Sequence, residues 1–199
     1  MMARVSAAFP ATVRTSGSYS VTFRRRPTDP NDLLYWHQRF FQALDISSLN
    51  LHDESVLAEA RRLGLDDEAT ARAHGLLAAA LDSDLMQRAA RAEACYHEVP
   101  FSLRLDGTVL AGFIDLVFVE DGRVVVVDFK TDSVVPDEVE RRAAVYRRQM
   151  LAYALAAKRL LCKPVAEVII FFLGAGRAWR VEFTEDELAR TARELAVVQ

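Results

Sequence analysis

The sequence predicts a mixed α/β domain around a central five-stranded sheet, with a helical region ahead of it. Two Asp-Gly pairs, Asp106-Gly107 and Asp121-Gly122, separate strand-like apolar runs between Ala94 and Phe129. A helix-length stretch over about Asp137–Leu161 follows, and the continuous apolar run Val165–Leu173 then resumes the strand pattern. Helices, three strands, a helix, two strands and a helix, in that order, pack naturally as helices against one sheet.

Met1 to about Thr28 is rich in Ser, Thr, Ala and Arg, ends in Arg24-Arg25-Arg26-Pro27, and reads as a flexible arm or the remnant of an upstream region. Residues 29–199 read as one domain, with a helical part over 29–92 and an α/β core over 93–199. Asp29 is placed to cap a helix that has Pro30 at its first position. Leu33, Leu34, Trp36, His37, Phe40, Phe41 and Leu44 then recur at helical spacing. Further helices are expected over Glu54–Leu63, ending at Gly64, over Glu68–Leu81 and over Asp84–Ala92. After the strand run Val165–Leu173, Gly174-Ala175-Gly176 reads as a turn into a partner strand, Ala178–Phe183. Thr184-Glu185-Asp186-Glu187 has the spacing of a capping box and opens a last helix to about Val197.

With 199 residues, 51% of them apolar, the chain can bury a sizeable core. A net charge of −3 is not the bulk basicity of a protein that coats nucleic acid, although local basic patches can still face DNA. Cys95 and Cys162 are the only cysteines, too few for a disulfide scaffold or a four-cysteine zinc or iron–sulfur site. Their sparse use suits a reducing cytoplasm. No apolar run reaches transmembrane length, so no membrane partner is expected.

The chemistry lies in the hairpins. Asp-Gly between apolar runs favours a two-residue type I′ turn. Such a turn at Asp121-Gly122 pairs Glu120 with Arg123 and, counting outward, sets Asp115 opposite Asp128. The same count from Asp106-Gly107 sets Glu98 opposite Asp115. An acidic row Glu98–Asp115–Asp128 across three strands is expected, with Lys130 projecting from the same face and Phe129 from the opposite, packed one. A strand-end aspartate is often a solvated edge residue. Here, however, Val124–Val127 reads as buried on both faces, and facing carboxylates repel unless something positive sits between them. A divalent metal serving phosphodiester cleavage would supply that charge.

On the long helix, Tyr146, Met150 and Tyr153 suit core packing. Gln149, four residues before Tyr153, is an inward amide that needs polar partners such as a phosphate, a water or Lys130. Arg141, Arg142, Arg147 and Arg148 flank this face. Arginines on a helix most often face solvent, and beside an acidic site they also suit a DNA backbone. His97 is expected to point away from Glu98 as a structural residue. His52 falls in a loop, and His37 and His74 lie on helices.

Glu98-Val99-Pro100-Phe101, Gly112-Phe113-Ile114-Asp115, Asp128-Phe129-Lys130-Thr131-Asp132 and Tyr146-Arg147-Arg148-Gln149-Met150-Leu151-Ala152-Tyr153 resemble the successive motifs of the PD-(D/E)XK nuclease superfamily. The closest likeness is to the RecB/AddA-type nuclease domain at the C-terminus of recombination helicase–nucleases. The resemblance implies a restriction-endonuclease-like core and an exonuclease V-like deoxyribonuclease. It implies Mg²⁺, or Mn²⁺, held by Asp115 and Asp128, with Lys130 orienting or activating the attacking water. It places Gln149 and Tyr153 in the family's Q-x-x-x-Y element. It also implies a metal-contacting histidine on an upstream helix. The segment Trp36–Asp45, with His37, resembles that element better than the surroundings of His74 do. Glu98 is then suited to orienting a water of the metal. No G-x-x-x-x-G-K-[ST] loop occurs, so no ATP site is expected, and the four cysteines of iron–sulfur relatives are missing. DNA is the expected partner, with the helicase motor in a separate chain or in a missing region. The alternatives are a non-cleaving DNA-binding or scaffold module with the same fold, or a stand-alone structure-specific endonuclease.

Overall fold

The computed structural model describes residues 20–22, 53–106, 108–131 and 134–196. The helix expected around Leu33–Leu44, with His37, and the loop with His52 lie outside the described residues, as does most of the expected arm. Strand β1 is Ser20–Thr22. Three helices follow: α1 (Asp53–Leu63), α2 (Asp67–Leu81) and α3 (Asp84–Arg91). Strands β2 (Ala94–Leu105), β3 (Thr108–Glu120) and β4 (Arg123–Lys130) form the expected meander. A 3₁₀ turn at Pro136–Glu138 leads into the long helix α4 (Val139–Leu161). Strands β5 (Val165–Phe172) and β6 (Arg177–Arg180) and helix α5 (Glu185–Ala196) complete the chain.

Local chemistry sets the boundaries. Asp66 caps α2 by accepting the Ala69 N–H at 2.7 Å, and Ser83 caps α3. At the start of α5 the Thr184 hydroxyl accepts the Glu187 N–H at 3.2 Å, while the Glu187 carboxylate accepts the Thr184 N–H at 3.1 Å. This is the reciprocal capping box that the sequence spells out. Asp121 and Gly122 both have positive φ, 51° and 68°, and close the β3–β4 hairpin with Glu120 paired to Arg123. Strand β6 stops at Arg180 instead of Phe183. The Val181 N–H still reaches the Val168 carbonyl at 2.8 Å, but the next carbonyl, of Glu182, accepts from the Arg147 guanidinium at 2.7 Å.

The sheet is mixed, in the order β1-β3-β4-β5-β6, with β2 on the other edge of β3. Pairs β1–β3 and β4–β5 are parallel and the remainder antiparallel. It therefore holds one strand beyond the five expected. Ser20–Thr22 lies in the segment expected as an arm, where a three-residue run with two β-branched residues is too short to stand out as a strand.

Helices α4 and α5 cover one face, burying Val124, Val126, Val168, Ile170 and Phe172 against Met150–Ala157, Leu188 and Leu195. Helices α1 to α3 cover the other, over Leu116, Phe118, Val125, Val127, Phe129 and Phe171. The alternation of Val124–Val127 between these clusters bears out a strand buried on both sides. Arg88 of α3 ties its helix to the sheet. It lies 2.6 Å from Glu120 and 3.1 Å from Glu167, with its guanidinium 5.7 Å from the centre of the Phe118 ring. The cation holds the Glu120 carboxyl below the usual carboxylate range.

Between β2 and β3 the residue pairing keeps one register, from Ala94↔Val119 to Leu105↔Thr108. The side-chain alternation does not. Leu110, Ile114 and their neighbour Val99 pack on the α4 side. Further along, Leu116, Phe118 and Cys95 pack on the α1–α3 side, and Val117 returns to α4. The phase changes at Glu98 and Asp115. Glu98 is the residue that absorbs it, with φ of 51°, a left-handed conformation costing ~1–2 kcal/mol outside glycine.

Candidate active site

Asp115, Asp128 and Lys130 come together under helix α4. All three are buried, at 7%, 2% and 8% exposure, and are among the few buried charged side chains of the described residues. Register explains the convergence. The β3–β4 ladder runs from Glu120↔Arg123 to Leu116↔Val127 and stops there. Asp115 and Asp128, next in line, are not a ladder pair. The expected face-to-face arrangement is thus opened by one step, as repulsion between facing carboxylates favours. By the antiparallel alternation, the Phe129 N–H would have donated to the Ile114 carbonyl. It donates instead to Asp115 Oδ2, at 2.9 Å. The opposite edge of β3 is filled by β2. Strand β1 occupies the near edge only at Val109–Ala111, so Gly112–Asp115 forms a notch there with no strand partner among the described residues.

Lys130 does not stand apart from Asp128 as strand spacing alone suggests. Its Nζ folds back to 2.5 Å from Asp128 Oδ2. This buried oxygen has the Lys130 ammonium as its close ionic partner and no other donor among the described residues. Lys130 also donates to Gln149 Oε1 at 3.4 Å, and Gln149 Nε2 donates to the Tyr153 hydroxyl at 2.7 Å. The amide that seemed out of place on an apolar helix face has Lys130 among its partners, as expected. Tyr153, 1% exposed, is wedged edge-on against Phe101 with ring centres 5.7 Å apart. Gly112 makes room for that packing: a Cβ there would come within 3.1 Å and 3.2 Å of the Phe101 ring.

The sequence left Tyr146 as a core residue. It is half-buried, and Lys130 Nζ sits 4.4 Å from its ring centre, so it belongs to the wall of the site. Its spacing of three from Gln149 was the available signal. Phe129 faces away onto Phe171, as expected.

Other candidates are placed less closely. Glu98 is half-buried and, from the flanking pairs His97↔Leu116 and Val99↔Ile114, lies in line with Asp115. Among the described residues, however, no three His, Cys, Asp or Glu side chains gather into a metal-holding group, so the acidic row is not drawn into one cluster. His74 sits on α2, in the layer across the sheet from α4. His97 is exposed. His37 lies outside the described residues.

The donor set suits a hard divalent cation. Two aspartates offer carboxylate oxygens, the ligands preferred by Mg²⁺ and Mn²⁺, and Asp128 Oδ2, buried with only the Lys130 ammonium beside it, keeps lone pairs that such an ion would use.

A model of the family described as the PD-(D/E)XK nuclease superfamily matches residues 19–198. An ATP-dependent helicase/nuclease chain of Acetivibrio thermocellus is 32% identical over 113 residues, 49% of this chain and 9% of the relative. One from Desulfitobacterium hafniense is 34% identical over 128 residues, 59% of this chain and again 9% of the relative. The corresponding protein of Carboxydothermus hydrogenoformans is 31% identical over 110 residues, with shares of 49% and 9%. The match thus spans about a tenth of the length of these curated relatives.

Proposed function

The chain belongs to the PD-(D/E)XK nuclease superfamily, and on that premise we propose that it hydrolyses phosphodiester bonds of DNA with a divalent cation, Mg²⁺ or Mn²⁺, held by Asp115 and Asp128. The observation that carries this reading is a pair of buried aspartates, Asp115 and Asp128, with the ammonium of a buried lysine 2.5 Å from Asp128 Oδ2. Bound there, the cation supplies positive charge at a phosphate oxygen and acidifies a water.

The chain's own residues do the rest. Lys130 is held between Asp128, Gln149 and the Tyr146 ring, so its ammonium is fixed where negative charge develops on the phosphate, with little reorganisation required. Gln149 orients Lys130, and Tyr153 fixes the Gln149 amide. The Asp115 carboxylate, by taking the Phe129 N–H, holds β4 at the distance that keeps both acids on the same cleft. Glu98 and His37 are further proposed contributors, Glu98 to orient a water and His37 as a ligand from the upstream helix.

The relatives are chains of helicase/nucleases, and the sequence has no phosphate-binding motor loop. The proposed setting is therefore exonuclease V-like processing of DNA ends in the cytoplasm, with the motor carried by another chain or by further sequence. Among the described residues no helix is long and apolar enough to cross a membrane.

The test is cleavage of linear single- and double-stranded DNA with Mg²⁺, with and without a helicase partner. Calorimetry with Mn²⁺ should accompany it. Metal-dependent cleavage lost in Asp128→Ala and Lys130→Ala is expected, with Mn²⁺ binding removed by Asp115→Asn. Full cleavage in EDTA, or in those variants, would overturn the proposal. Intact DNA binding without cleavage under any divalent cation would point to a scaffold module.

A further inference from the structure

We propose that Tyr146 is a positioning residue for Lys130, whose ring face keeps the ammonium seated once a divalent cation engages Asp128. This rests on the nuclease reading and deepens it. Lys130 Nζ lies 2.5 Å from Asp128 Oδ2, 3.4 Å from Gln149 Oε1 and 4.4 Å from the centre of the Tyr146 ring. Of these partners only Asp128 carries a charge.

A cation bound at Asp128 draws on the carboxylate that anchors the ammonium, and repels the ammonium at short range. The backbone gives Lys130 no room to withdraw. Its carbonyl accepts the Leu173 N–H at 2.9 Å, and the residue is paired with Phe172 in the sheet. The side chain is buried, so water is a poor substitute for the weakened partner. Two of the observed anchors are left. Gln149 Oε1 stands at the long limit of a hydrogen bond, and the Gln149 amide is committed to the Tyr153 hydroxyl at 2.7 Å. The other anchor is the Tyr146 ring, three residues before Gln149 on the same face of α4. An aromatic face attracts an ammonium within ~6 Å through its quadrupole, and more strongly where water is excluded. A carboxylate in the place of Tyr146 would compete with Asp128 for the cation. A ring holds the lysine and leaves the cation to the aspartates. The Arg142 guanidinium carbon lies 5.6 Å from the same ring centre, and a control separates that contact from the role proposed.

The experiment is calorimetric titration of Mn²⁺ in a double-mutant cycle, with kcat and KM for cleavage of a single-stranded oligonucleotide beside it. Tyr146→Leu should weaken Mn²⁺ binding roughly threefold to tenfold and lower kcat with little change in KM. Tyr146→Phe keeps the ring face and should recover both. Lys130→Met should bind Mn²⁺ at least as tightly as wild type, and Tyr146→Leu added to it should change the affinity no further. Arg142→Gln should leave Mn²⁺ affinity as it is. Equal affinity in wild type and Tyr146→Leu overturns the inference. So does weaker binding by Lys130→Met, or a loss that persists in the Lys130→Met background or is reproduced by Arg142→Gln. Wild-type protein that binds Mn²⁺ but cleaves no DNA defeats the nuclease reading, and the cycle still decides the role of Tyr146. Absence of Mn²⁺ binding defeats both.

Discussion

The carboxylate of Asp115 accepts the backbone N–H of Phe129 at 2.9 Å, in the place where the β3–β4 ladder would have supplied the Ile114 carbonyl. One aspartate is thus both a piece of the sheet and a candidate ligand, and substitution can separate the roles. Asp115→Asn keeps an oxygen for Phe129 and should leave stability within ~1 kcal/mol while cleavage is lost. Asp115→Ala leaves a buried N–H without that acceptor and should cost a further ~1–3 kcal/mol. Urea denaturation beside the cleavage assay reads both effects.

Asp128 and Lys130 form a buried pair, and a divalent cation is expected to add to it. In wild-type protein, Mn²⁺ at about 100 times its dissociation constant should stabilise the fold by ~2.7 kcal/mol. This amounts to a rise of roughly 5–10 °C in Tm for a domain of this size. Asp128→Ala should abolish the shift in a thermal melt. Lys130→Ala should keep a shift yet lower kcat at least ~100-fold, because it removes a fixed positive charge from the transition state and not a ligand.

Gly112 carries no reactive group, yet its substitution should be felt at the site. In Gly112→Ala the new methyl meets the Phe101 ring, and that ring is buried against Tyr153. Overpacking of this kind costs ~1–3 kcal/mol. Displacement of Tyr153 should loosen Gln149 and then Lys130, so kcat should fall more than KM rises. A variant with normal kcat and reduced stability would show that Phe101 yields without moving Tyr153.

Acid should weaken the α3 contact. The Glu120 carboxyl is held below its usual range by Arg88. Its stabilising contribution is therefore complete above the unfolded-state carboxylate pKa and is lost as pH falls through the lower, folded value. With about a third of both side chains exposed, the contribution is modest because solvent screens the pair. Glu120→Gln should flatten the decline of stability at acid pH. Arg88→Met should lower stability near neutral pH, read by chemical denaturation against pH.

The hairpin register was legible because Asp-Gly fixes both loop length and turn type, and from these the cross-strand partners nearest each turn follow. The α5 capping box was legible for a similar reason, as its two polar partners stand three residues apart in sequence. The early end of the β3–β4 ladder was not. Counting from a turn assumes pairing continues, and only the mutual position of two carboxylates and an amide in space decides that Asp115 replaces a carbonyl. The left-handed Glu98 was equally hidden, since glutamate carries no signal for positive φ. Tyr146 looked like core because a ring beneath a lysine and a ring beneath a leucine are written alike.

The joint change of phase at Glu98 and Asp115 constrains how this protein can vary. Because both strands switch faces at the same step, a residue gained or lost within either one would rotate Asp115 out of the cleft and expose an apolar row in its stead. Length changes should therefore be tolerated in the loops at Asp106 and Asp121 and purged from β2 and β3. Across descendants of this chain, the β2–β3 hairpin should behave as a fixed ruler whose side chains drift while its length does not.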